Sequence, residues 1–236
     1  MPTPENKAKK KLNRACLVVF SGGQDSATCL AWALDRYPHV ETIGFRYGQR
    51  HAIEMTCREP LRAAMASPRL GADHVVDLTG TLAGLGATAL TSEAAIAMTA
   101  EGLPNTFVPG RNLIFLAFAA ALAYRRGLGH VVGGMCETDY SGYPDCRPEY
   151  YDAFNQVIAR GTAKGDIKIK TPIIYLTKEQ IIQKGVDLDA PLHLTWSCYQ
   201  NNDVACGVCD SCALRLRGFQ RAGLKDPLEY ELRPVY

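Results

Sequence analysis

A short polar string lies at the start of a predicted helix, where backbone N–H groups can bind an anion. Residues 21–26 read Ser-Gly-Gly-Gln-Asp-Ser and lie between an apolar run and a helix-forming run. The N–H groups at a helix start and the positive end of the helix dipole favour a phosphate. The hydroxyls of Ser21 and Ser26 can add donors, and Asp25 can cap the helix or help to hold Mg²⁺. The string predicts a phosphate loop, although an ordinary capped turn also fits its glycines. It is not a Walker loop, because the Gly-Lys-Ser/Thr ending is missing.

Four cysteines near the C-terminus have the spacing of a metal centre. Cys198, Cys206, Cys209 and Cys212 follow the pattern C-x7-C-x2-C-x2-C. Four thiolates in one tight turn can complete the tetrahedral coordination of a Zn²⁺ ion. A C-x2-C-x2-C run also occurs in iron–sulfur ferredoxins, so an iron–sulfur cluster is the alternative. We expect zinc, because all four thiolates lie in one short segment and no further cysteine is followed by proline in the ferredoxin manner.

Strand and helix patterns alternate along most of the chain. Short apolar runs that end in glycine or polar turns predict strands, and helix-forming runs lie between them. This alternation indicates an α/β fold, with a mostly parallel sheet and helices on both faces. The predicted strands are 15–20, 40–47, 74–78 and 131–132, and the predicted helices are 26–34, 52–66, 113–126 and a short capped helix from Thr177 to Gly185.

The organisation of the sheet predicts where a ligand binds. In open parallel sheets ligands bind beyond the carboxyl ends of the strands, so the loops after Phe20, Tyr47 and Val132 are expected to meet in one crevice. The stretch 79–109 is long for a connection and is predicted to be a mobile or functional loop. We divide the chain into a disordered basic tail (1–14), a phosphate-binding α/β domain (15–190) and a small metal-binding C-terminal segment (191–236).

Composition narrows the class of protein. Of the 236 residues, 47% are hydrophobic and 21% are charged, which is typical of a soluble globular chain. A net charge of +2 is too small to indicate a dedicated nucleic-acid or membrane-surface protein. The longest apolar run, 113–124, is shorter than the roughly 20 residues of a bilayer span and is predicted to be a buried helix. Nine cysteines, of which five lie outside the cluster, favour reduced thiols and therefore the cytoplasm.

Several strings resemble one branch of a known superfamily. The Ser-Gly-Gly-x-Asp-Ser string after an apolar strand resembles the signature of the PP-loop ATP pyrophosphatases, which split ATP between the α and β phosphates. The matching strings are FSGGQDSATCL (20–30), YGQRH (47–51), VPGRN (108–112), CETDYSGYPDCR (136–147), WSCY (196–199) and the closing CGVCDSC (206–212). The chain thus resembles the 7-cyano-7-deazaguanine synthase family over nearly its whole length after residue 15. Arg46 departs from the family, in which an acidic residue is expected before the Tyr-Gly-Gln-Arg-His string.

The resemblance implies a fold and a reaction. The fold is the PP-loop, adenine nucleotide alpha hydrolase-like sheet. The reaction converts 7-carboxy-7-deazaguanine and ammonia, with ATP, Mg²⁺ and a structural Zn²⁺, to the nitrile precursor of queuosine-type tRNA bases. Transfer of AMP makes the carboxylate electrophilic, ammonia then gives an amide, and a second activation gives the nitrile. The family also implies a homodimer, and the low net charge and short apolar run predict no direct nucleic-acid or membrane partner.

The resemblance also implies roles for individual residues. Asp25 and Arg111 are expected to be catalytic, with Arg111 neutralising phosphate charge unless it only caps or pairs beside its helix. Asp139 and Asp145 are expected to accept hydrogen bonds from the guanine-like edge of the substrate. The expected ATP contacts are Phe20, Ser21, Gly22, Gly23, Gln24, Asp25, Ser26, Ala27, Thr28, Cys29, Leu30 and Tyr47. The expected substrate contacts are Asp139, Tyr140, Ser141, Tyr143 and Asp145, although a turn of this composition is also typical of a plain surface loop.

A second function fits part of the pattern. A thiolase-like PP-loop enzyme would adenylate a tRNA base and would need a sulfur-carrying cysteine pair and an RNA-binding surface. Cys136 and Cys146 are the candidate pair. The nearly neutral charge and the lack of an added RNA-binding module favour the synthase instead. A zinc-ribbon module without catalysis would leave the loop at Ser21 unexplained.

Overall fold

Five parallel strands form one sheet in the computed structural model, which describes residues 14–48, 53–80, 107–136, 143–163 and 166–236. The strands are β1 (Cys16–Val19), β2 (Val40–Arg46), β3 (Leu70–Asp77), β4 (His130–Val132) and β5 (Lys168–Lys170). Their order is β3-β2-β1-β4-β5, and each neighbouring pair is parallel. The chain adds β2 and β3 on one side of β1 and then crosses to the other side. The topological switch point therefore lies at the carboxyl ends of β1 and β4, where ligands bind in such sheets.

Helices connect these strands and cover both faces of the sheet. Within the described ranges the α-helices are α1 (Gln24–Arg36), α2 (Ile53–Thr56), α3 (Arg58–Ala64), α4 (Arg111–Arg126), α5 (Pro148–Gly161), α6 (Lys178–Asp187) and α7 (Asp210–Arg221). Two short 3₁₀ turns span Pro144–Cys146 and Leu192–Leu194. None of these helices combines the length and the apolar character needed to cross a bilayer.

The central strand divides the core between the two faces. Cys16 and Val18 pack with α1, α6 and α7 on one face, whereas Leu17 packs with α4 and α5 on the other. All three side chains are fully buried. In register, Val18 lies opposite Thr42 of β2 and Val132 of β4. A strand buried on both faces is apolar at successive positions, which is why β1 is visible in the sequence.

The predicted fold class is confirmed, and several predicted elements need correction. The expected helix 52–66 is two short helices, α2 and α3, separated at Cys57. The expected buried helix 113–124 is amphipathic, because Leu113, Phe118 and Tyr124 are 51%, 44% and 38% exposed. β5, α5 and α7 were not predicted. β5 is an edge strand with one buried residue, Ile169, between two exposed lysines, so its sequence has no apolar run.

The described part of the predicted loop 79–109 is limited to its two ends. Residues 81–106 lie outside the described residues, as do residues 1–13 of the predicted tail. The boundary at residue 190 stays a prediction about folding units. In the structure, Leu192 and Phe219 pack in the same core as β1, and α7 packs against α6.

A buried ion pair fixes the C-terminal segment. Arg215 of α7 donates from Nε to Asp226 Oδ2 at 2.7 Å and from Nη2 to Asp226 Oδ1 at 3.0 Å. The two side chains are 3% and 0% exposed. Arg215 also donates to Thr195 Oγ1 at 2.7 Å, and Tyr230 donates to Asp226 Oδ2 at 2.6 Å. Each charge is thus hydrogen-bonded, which is the condition for burying an ion pair.

Removing Asp226 should therefore destabilise the protein strongly. Asp226→Ala leaves the Arg215 guanidinium buried without its counter-ion, and we expect a loss of about 3 kcal/mol or more in the free energy of unfolding. Urea denaturation measures this loss. The matched control is Glu229→Ala, which removes an exposed carboxylate from the same segment. Equal stability of the two variants would contradict the structural role given to the ion pair.

Candidate active site and metal centre

The phosphate loop joins β1 to α1 at the switch point. Gly22 has a φ of +103°, a backbone conformation that residues with a side chain rarely adopt. The Ser26 hydroxyl donates to the Gly23 carbonyl at 2.9 Å and accepts from the Gly22 N–H at 3.2 Å, and Ser21 Oγ accepts from the Gly23 N–H at 3.2 Å. The two hydroxyls therefore shape the loop. The capping role considered for Asp25 is wrong, because Gly23 is the N-cap and no side chain caps α1.

The remaining residues expected to contact ATP lie under this loop. The side chains of Phe20, Ala27, Thr28, Cys29 and Leu30 are all fully buried. Phe20 is tied to α3, since its carbonyl accepts a hydrogen bond from Arg58 and its ring centroid lies 5.2 Å from the Arg58 guanidinium carbon. These buried side chains pack in the core next to the phosphate loop. Their direct contact with ATP stays a prediction, and residues 21–26 form the part of the string that borders the crevice.

Glu54 of α2 lies directly on the phosphate loop. Its Oε1 accepts a hydrogen bond from Ser21 Oγ at 2.7 Å. A Cβ atom on Gly23 would collide with this carboxylate, and one on Gly22 would collide with the Glu54 carbonyl oxygen. Burial raises the pKa of Glu54, and the hydrogen bond from Ser21 and the charge of Arg111 only partly offset this. The phosphate loop is thus hydrogen-bonded, through the Ser21 hydroxyl, to the carboxylate of Glu54.

Arg111 stands on the other side of the crevice, at the first position of α4. Its Nη1 lies 3.5 Å from Tyr47 OH, and its guanidinium carbon lies 5.9 Å from the Tyr47 ring centroid. Burial lowers the pKa of Arg111, but the nearby groups of Tyr47, Tyr143, Tyr199 and Asp145 outweigh burial and place that pKa above its usual value. The guanidinium is therefore a fixed positive charge among aromatic rings.

Asp145 is a buried carboxylate at the same side of the crevice. It lies in the 3₁₀ turn and is 8% exposed. Its Oδ1 is buried and has no hydrogen-bond partner within the described residues. Burial raises its pKa, and Arg111 opposes this effect. A buried acceptor of this kind suits an N–H donor from a ligand.

The predicted convergence of loops is confirmed for the loops after β1 and β4. The loop after β4 reaches α1, since a Cβ on Gly134 would lie 3.2 Å from the Asp25 carbonyl carbon. Tyr47 follows β2 and contacts Arg111. The ring centroids of Tyr143 and Phe107 lie 5.3 Å apart. The predicted substrate residues Asp139, Tyr140 and Ser141, and the end of the Tyr-Gly-Gln-Arg-His string, lie outside the described residues.

The four cysteines of the C-terminal segment come together as predicted. Cys198, Cys206, Cys209 and Cys212 are buried, and their four sulfur atoms lie within 4.8 Å of one another. The Cys206 and Cys212 sulfurs are 3.9 Å apart. Zinc–sulfur bonds of about 2.3 Å in a tetrahedron place the sulfurs about 3.8 Å apart, so the set fits Zn²⁺.

Backbone donors surround these sulfur atoms. Cys198 Sγ accepts from the N–H groups of Gln200, Asn201 and Cys206 at 3.3, 3.2 and 3.4 Å. Cys206 Sγ accepts from Val208 and Cys209 at 3.4 and 3.3 Å. Such donors stabilise anionic sulfur, the form that binds a metal. The donor chemistry therefore supports a metal centre, and the sulfur set alone does not distinguish zinc from iron.

The cysteine cluster is packed against the phosphate-loop side of the molecule. Ile53 and Cys57, on either side of Glu54 in the chain, pack against its buried residues, and so does Tyr199. The Tyr199 N–H donates to Cys209 Sγ at 3.5 Å. The side chain of Tyr199 lies near enough to Arg111 to raise the pKa of Arg111. The cysteine cluster thus packs against Tyr199, which lies close to Arg111, and against the helix that carries Glu54.

Four residues of the site were missed by reasoning from the sequence. Glu54 follows the Tyr-Gly-Gln-Arg-His string at one helical turn, and Tyr199 closes the Trp-Ser-Cys-Tyr string, so both carried a local signal. Arg58, which donates to the Phe20 carbonyl, and Lys178, whose Nζ lies 2.8 Å from Asp25 Oδ2, carried none beyond their charge. The four are Glu54, Arg58, Lys178 and Tyr199.

Comparison with known proteins agrees with these features. Residues 15–223 match the family model described as "Queuosine biosynthesis protein QueC". A relative named 7-cyano-7-deazaguanine synthase from Hyphomonas neptunium is 54% identical, covering 88% of this chain and 94% of the relative. A relative of the same name from Bradyrhizobium sp. (strain ORS 278) is 52% identical, covering 86% and 94%. A solved 4-thiouridine synthetase in complex with RNA and ATP is similar in fold alone, with a TM-score of 0.51, 16% identity, and coverage of 92% of this chain and 47% of that chain.

Replacing one cysteine of the cluster should affect both metal binding and the crevice. Cys206→Ser removes a thiolate, so we expect loss of the bound metal and a lower melting temperature. Because Ile53 and Tyr199 pack on the cluster, we also expect slower ATP turnover by the folded fraction. Metal content, thermal unfolding and turnover measure the three effects. Cys16→Ala, a buried position outside the cluster, is the control and should keep its metal.

Glu54 predicts a pH-dependent stability difference. Its folded-state pKa is raised, so its contribution to stability is present below the unfolded pKa and is lost as pH rises through the folded pKa. Glu54→Gln should therefore unfold at higher urea than the wild type at pH 8, with the difference vanishing near pH 4. Glu59→Gln, on the exposed side of α3, should show no such trend. A constant difference at all pH values would contradict the burial of Glu54.

Proposed function

The chain belongs to the QueC family of queuosine biosynthesis proteins, and from that premise we propose that it is a 7-cyano-7-deazaguanine synthase. Its substrates are 7-carboxy-7-deazaguanine, ammonia and ATP. One observation carries the assignment of the site. Glu54, which is hydrogen-bonded to Ser21 of the phosphate loop, lies within the field of Arg111, and Arg111 also acts on Asp145, whose Oδ1 has no hydrogen-bond partner among the described residues. This arrangement suits the adenylated intermediate, in which a phosphate is joined to a flat heterocycle that carries N–H donors.

The first half of the reaction makes the carboxylate reactive. A carboxylate oxygen of the substrate attacks the α-phosphorus of ATP, the bond to the β-phosphate breaks, and pyrophosphate leaves. Arg111 stabilises negative charge on the phosphoryl oxygens, because its guanidinium is held in place by Tyr47. Ammonia then attacks the acyl carbon, AMP leaves with the carbon–oxygen electron pair, and loss of a proton gives the amide.

The second half repeats the activation on the amide. The amide oxygen attacks the α-phosphorus of a second ATP, and pyrophosphate leaves again. The carbon–oxygen bond then breaks with loss of AMP, while the nitrogen gives up its two protons and forms the nitrile. One crevice serves both halves, because the phosphate loop and the heterocycle contacts are the same in each.

Asp145 and the aromatic rings orient the heterocycle. The unpaired Asp145 Oδ1 accepts from N–H groups of the guanine-like edge. The rings of Tyr143 and Phe107, 5.3 Å apart, are placed to pack against a flat ring system. We extend this role to Asp139, Tyr140 and Ser141, which adjoin this segment in the chain.

The cofactors follow from the donor chemistry. The four cysteines would hold one structural Zn²⁺. Asp25, whose carboxylate pairs with Lys178 in the structure, is the residue we assign to the Mg²⁺ accompanying ATP. The direct contacts with ATP are residues 21–26 and Tyr47. The enzyme acts in the cytoplasm without a nucleic-acid or membrane partner. The exposed Leu113, Phe118 and Tyr124 of α4 support a homodimer, whose existence sedimentation analysis would test.

The structure gives little support to a thiolase-like function. Such an enzyme needs cysteines that a sulfur donor can reach. Cys136 is 3% exposed, and its thiol donates to the Leu176 carbonyl at 3.0 Å. A thiol buried in this way suits packing better than sulfur transfer.

The test of the proposed function is a product analysis. The purified chain is incubated with ATP, ammonium and 7-carboxy-7-deazaguanine, and nucleobases and nucleotides are identified by mass spectrometry. We expect the nitrile, the amide as an intermediate, and AMP with pyrophosphate. Formation of ADP and phosphate alone would contradict the adenylation steps. Absence of the nitrile would contradict the function itself.

Three variants test the proposed roles of the site residues. Arg111→Ala should lower turnover on the order of 100-fold, because positive charge at the transferring phosphoryl group is lost. Asp25→Ala should lower turnover to a similar extent, because the oxygen donor assigned to the Mg²⁺ of ATP is lost. Asp145→Ala should raise the KM for 7-carboxy-7-deazaguanine about tenfold or more, because it removes one hydrogen bond to a charged acceptor. The same losses are expected when the amide is supplied directly. Asp152→Ala, exposed on α5, is the control, and wild-type rates in Asp25→Ala or Arg111→Ala would remove that residue from the site.

A further inference from the structure

The turn that carries Asp145 is held through its own backbone carbonyl. This oxygen accepts a hydrogen bond from Tyr151 OH at 2.7 Å and a longer one from Asn112 Nδ2 at 3.4 Å. The two donors can use both lone pairs of the carbonyl. They come from different helices, Asn112 from α4 and Tyr151 from α5. The backbone at Asp145 is thus fixed from two sides, while Oδ1 of its side chain has no partner within the described residues.

Asn112 uses its side chain on this turn and not on its own helix. Asparagine near a helix start commonly caps the helix, yet the N-cap of α4 is Gly110 and no side chain caps it. The Asn112 side chain is buried, and its Nδ2 also lies 3.8 Å from Cys146 Sγ. Burial raises the pKa of Asp145, and Arg111 and then Asn112 oppose this rise. Asn112 therefore lies near the carboxyl group of Asp145 as well as its carbonyl.

Tyr151 has a fixed position in the core. Its side chain is 3% exposed and belongs to the same buried cluster as Leu116 of α4 and Phe154 of α5. Burial raises the pKa of Tyr151, so its hydroxyl keeps the proton that it donates. The neighbouring Tyr150 differs, because its buried hydroxyl has no hydrogen-bond partner in the part of the chain that the structure describes. Of these two tyrosines, Tyr151 is the one whose hydroxyl holds the turn.

Stability alone does not explain this arrangement. A buried acceptor without a partner destabilises the folded state, and Asp145 Oδ1 is such an acceptor among the described residues. The donors that hold the turn leave this oxygen unpaired. The turn is therefore fixed in a conformation that suits a ligand with an N–H group.

Asn112 also relates the turn to the positive charge of the crevice. It directly follows Arg111, and these two residues begin α4. Arg111 lies beside Tyr47, whereas Asn112 reaches Asp145. One helical turn thus carries both the guanidinium and the donor that locates the acceptor. An adenylated heterocycle bound to both needs a constant distance between them, because a small misplacement of reacting groups lowers the rate strongly.

We propose that Tyr151 and Asn112 are positioning residues that orient the Asp145 carboxylate toward the heterocycle, and that Asn112 also fixes its distance from Arg111. Both act through another residue. Tyr151 acts on substrate binding, because it holds only the turn. Asn112 acts on binding and on the rate, because it links the turn to the helix that carries Arg111. The proposal rests on the proposed synthase function and extends it to substrate recognition.

The first test is the Kd of 7-carboxy-7-deazaguanine, measured by calorimetry with α,β-methylene-ATP present. Tyr151→Phe removes one hydrogen bond and should raise this Kd about fivefold, while the Kd of the ATP analogue stays unchanged. Tyr150→Phe makes the same chemical change at the neighbouring position and is the control, with an unchanged Kd expected. A wild-type Kd in Tyr151→Phe would overturn the positioning role alone. Absence of binding by the wild type would overturn the synthase function together with this proposal.

A double variant tests whether Tyr151 acts through Asp145. Tyr151→Phe should add little to the Kd change of Asp145→Ala, because the carboxylate that it positions is already gone. Additive changes in Kd would contradict the positioning role, since Tyr151 would then act on the substrate by another route.

Asn112→Ala tests the link to Arg111. It should raise the Kd of 7-carboxy-7-deazaguanine and also lower kcat about tenfold, whereas Tyr151→Phe should keep kcat close to that of the wild type. Asn112→Ser keeps a shorter donor and should retain part of the rate. Thermal unfolding is measured for each variant. A lower melting temperature with wild-type Kd and kcat in Asn112→Ala and Asn112→Ser would leave Asn112 a structural role only and overturn its part of the proposal.

Discussion

The bare backbone at Gly22 and Gly23 is the constraint on which the site depends. The main chain and the carboxylate of Glu54 fill the space that side chains on these glycines would occupy. α2 can therefore close against the loop, and Ser21 can donate to Glu54. A side chain at either glycine would push α2 outward. Because α2 also packs on the cysteine cluster, that movement would reach the metal centre as well.

Charges of both signs alternate around the loop. Asp25 is paired with Lys178, and Glu54 accepts from Ser21 while lying within the field of Arg111. Two carboxylates beside a phosphate site would repel a nucleotide if they stood alone. Here they keep cations and hydroxyl donors in defined positions before a ligand arrives. Donors that are already oriented contribute most to stabilising charge as it develops.

The metal-binding segment is small, yet it contacts the crevice at several points. It supplies Tyr199 to the surroundings of Arg111, and α7 supplies the surface across which Lys178 runs. The buried pair of Arg215 and Asp226 ties α7 to the end of the chain. These contacts give the cysteine cluster a positioning role besides its contribution to folding.

Short-range features of this protein were determined by the sequence. The phosphate loop and the cysteine cluster are local, since each needs only neighbouring residues and glycines in one turn. β1 is visible because both faces of the sheet bury it, which leaves an unbroken apolar run. The α/β class followed from the alternation of such runs with helices. Matching strings along the chain then indicated the reaction.

Only the tertiary structure decided which polar residues complete the site. Glu54 lies 33 residues from Ser21, and Lys178 lies 153 residues from Asp25. In the sequence, Glu54 and Lys178 are single charged residues in predicted helices, where a charged residue normally lies on the solvated face. β5 pairs with β4, and its own alternation of lysine and isoleucine spans only three residues, which is too short to identify a strand in the sequence. Such contacts depend on how the sheet brings distant segments together, and no local pattern encodes that.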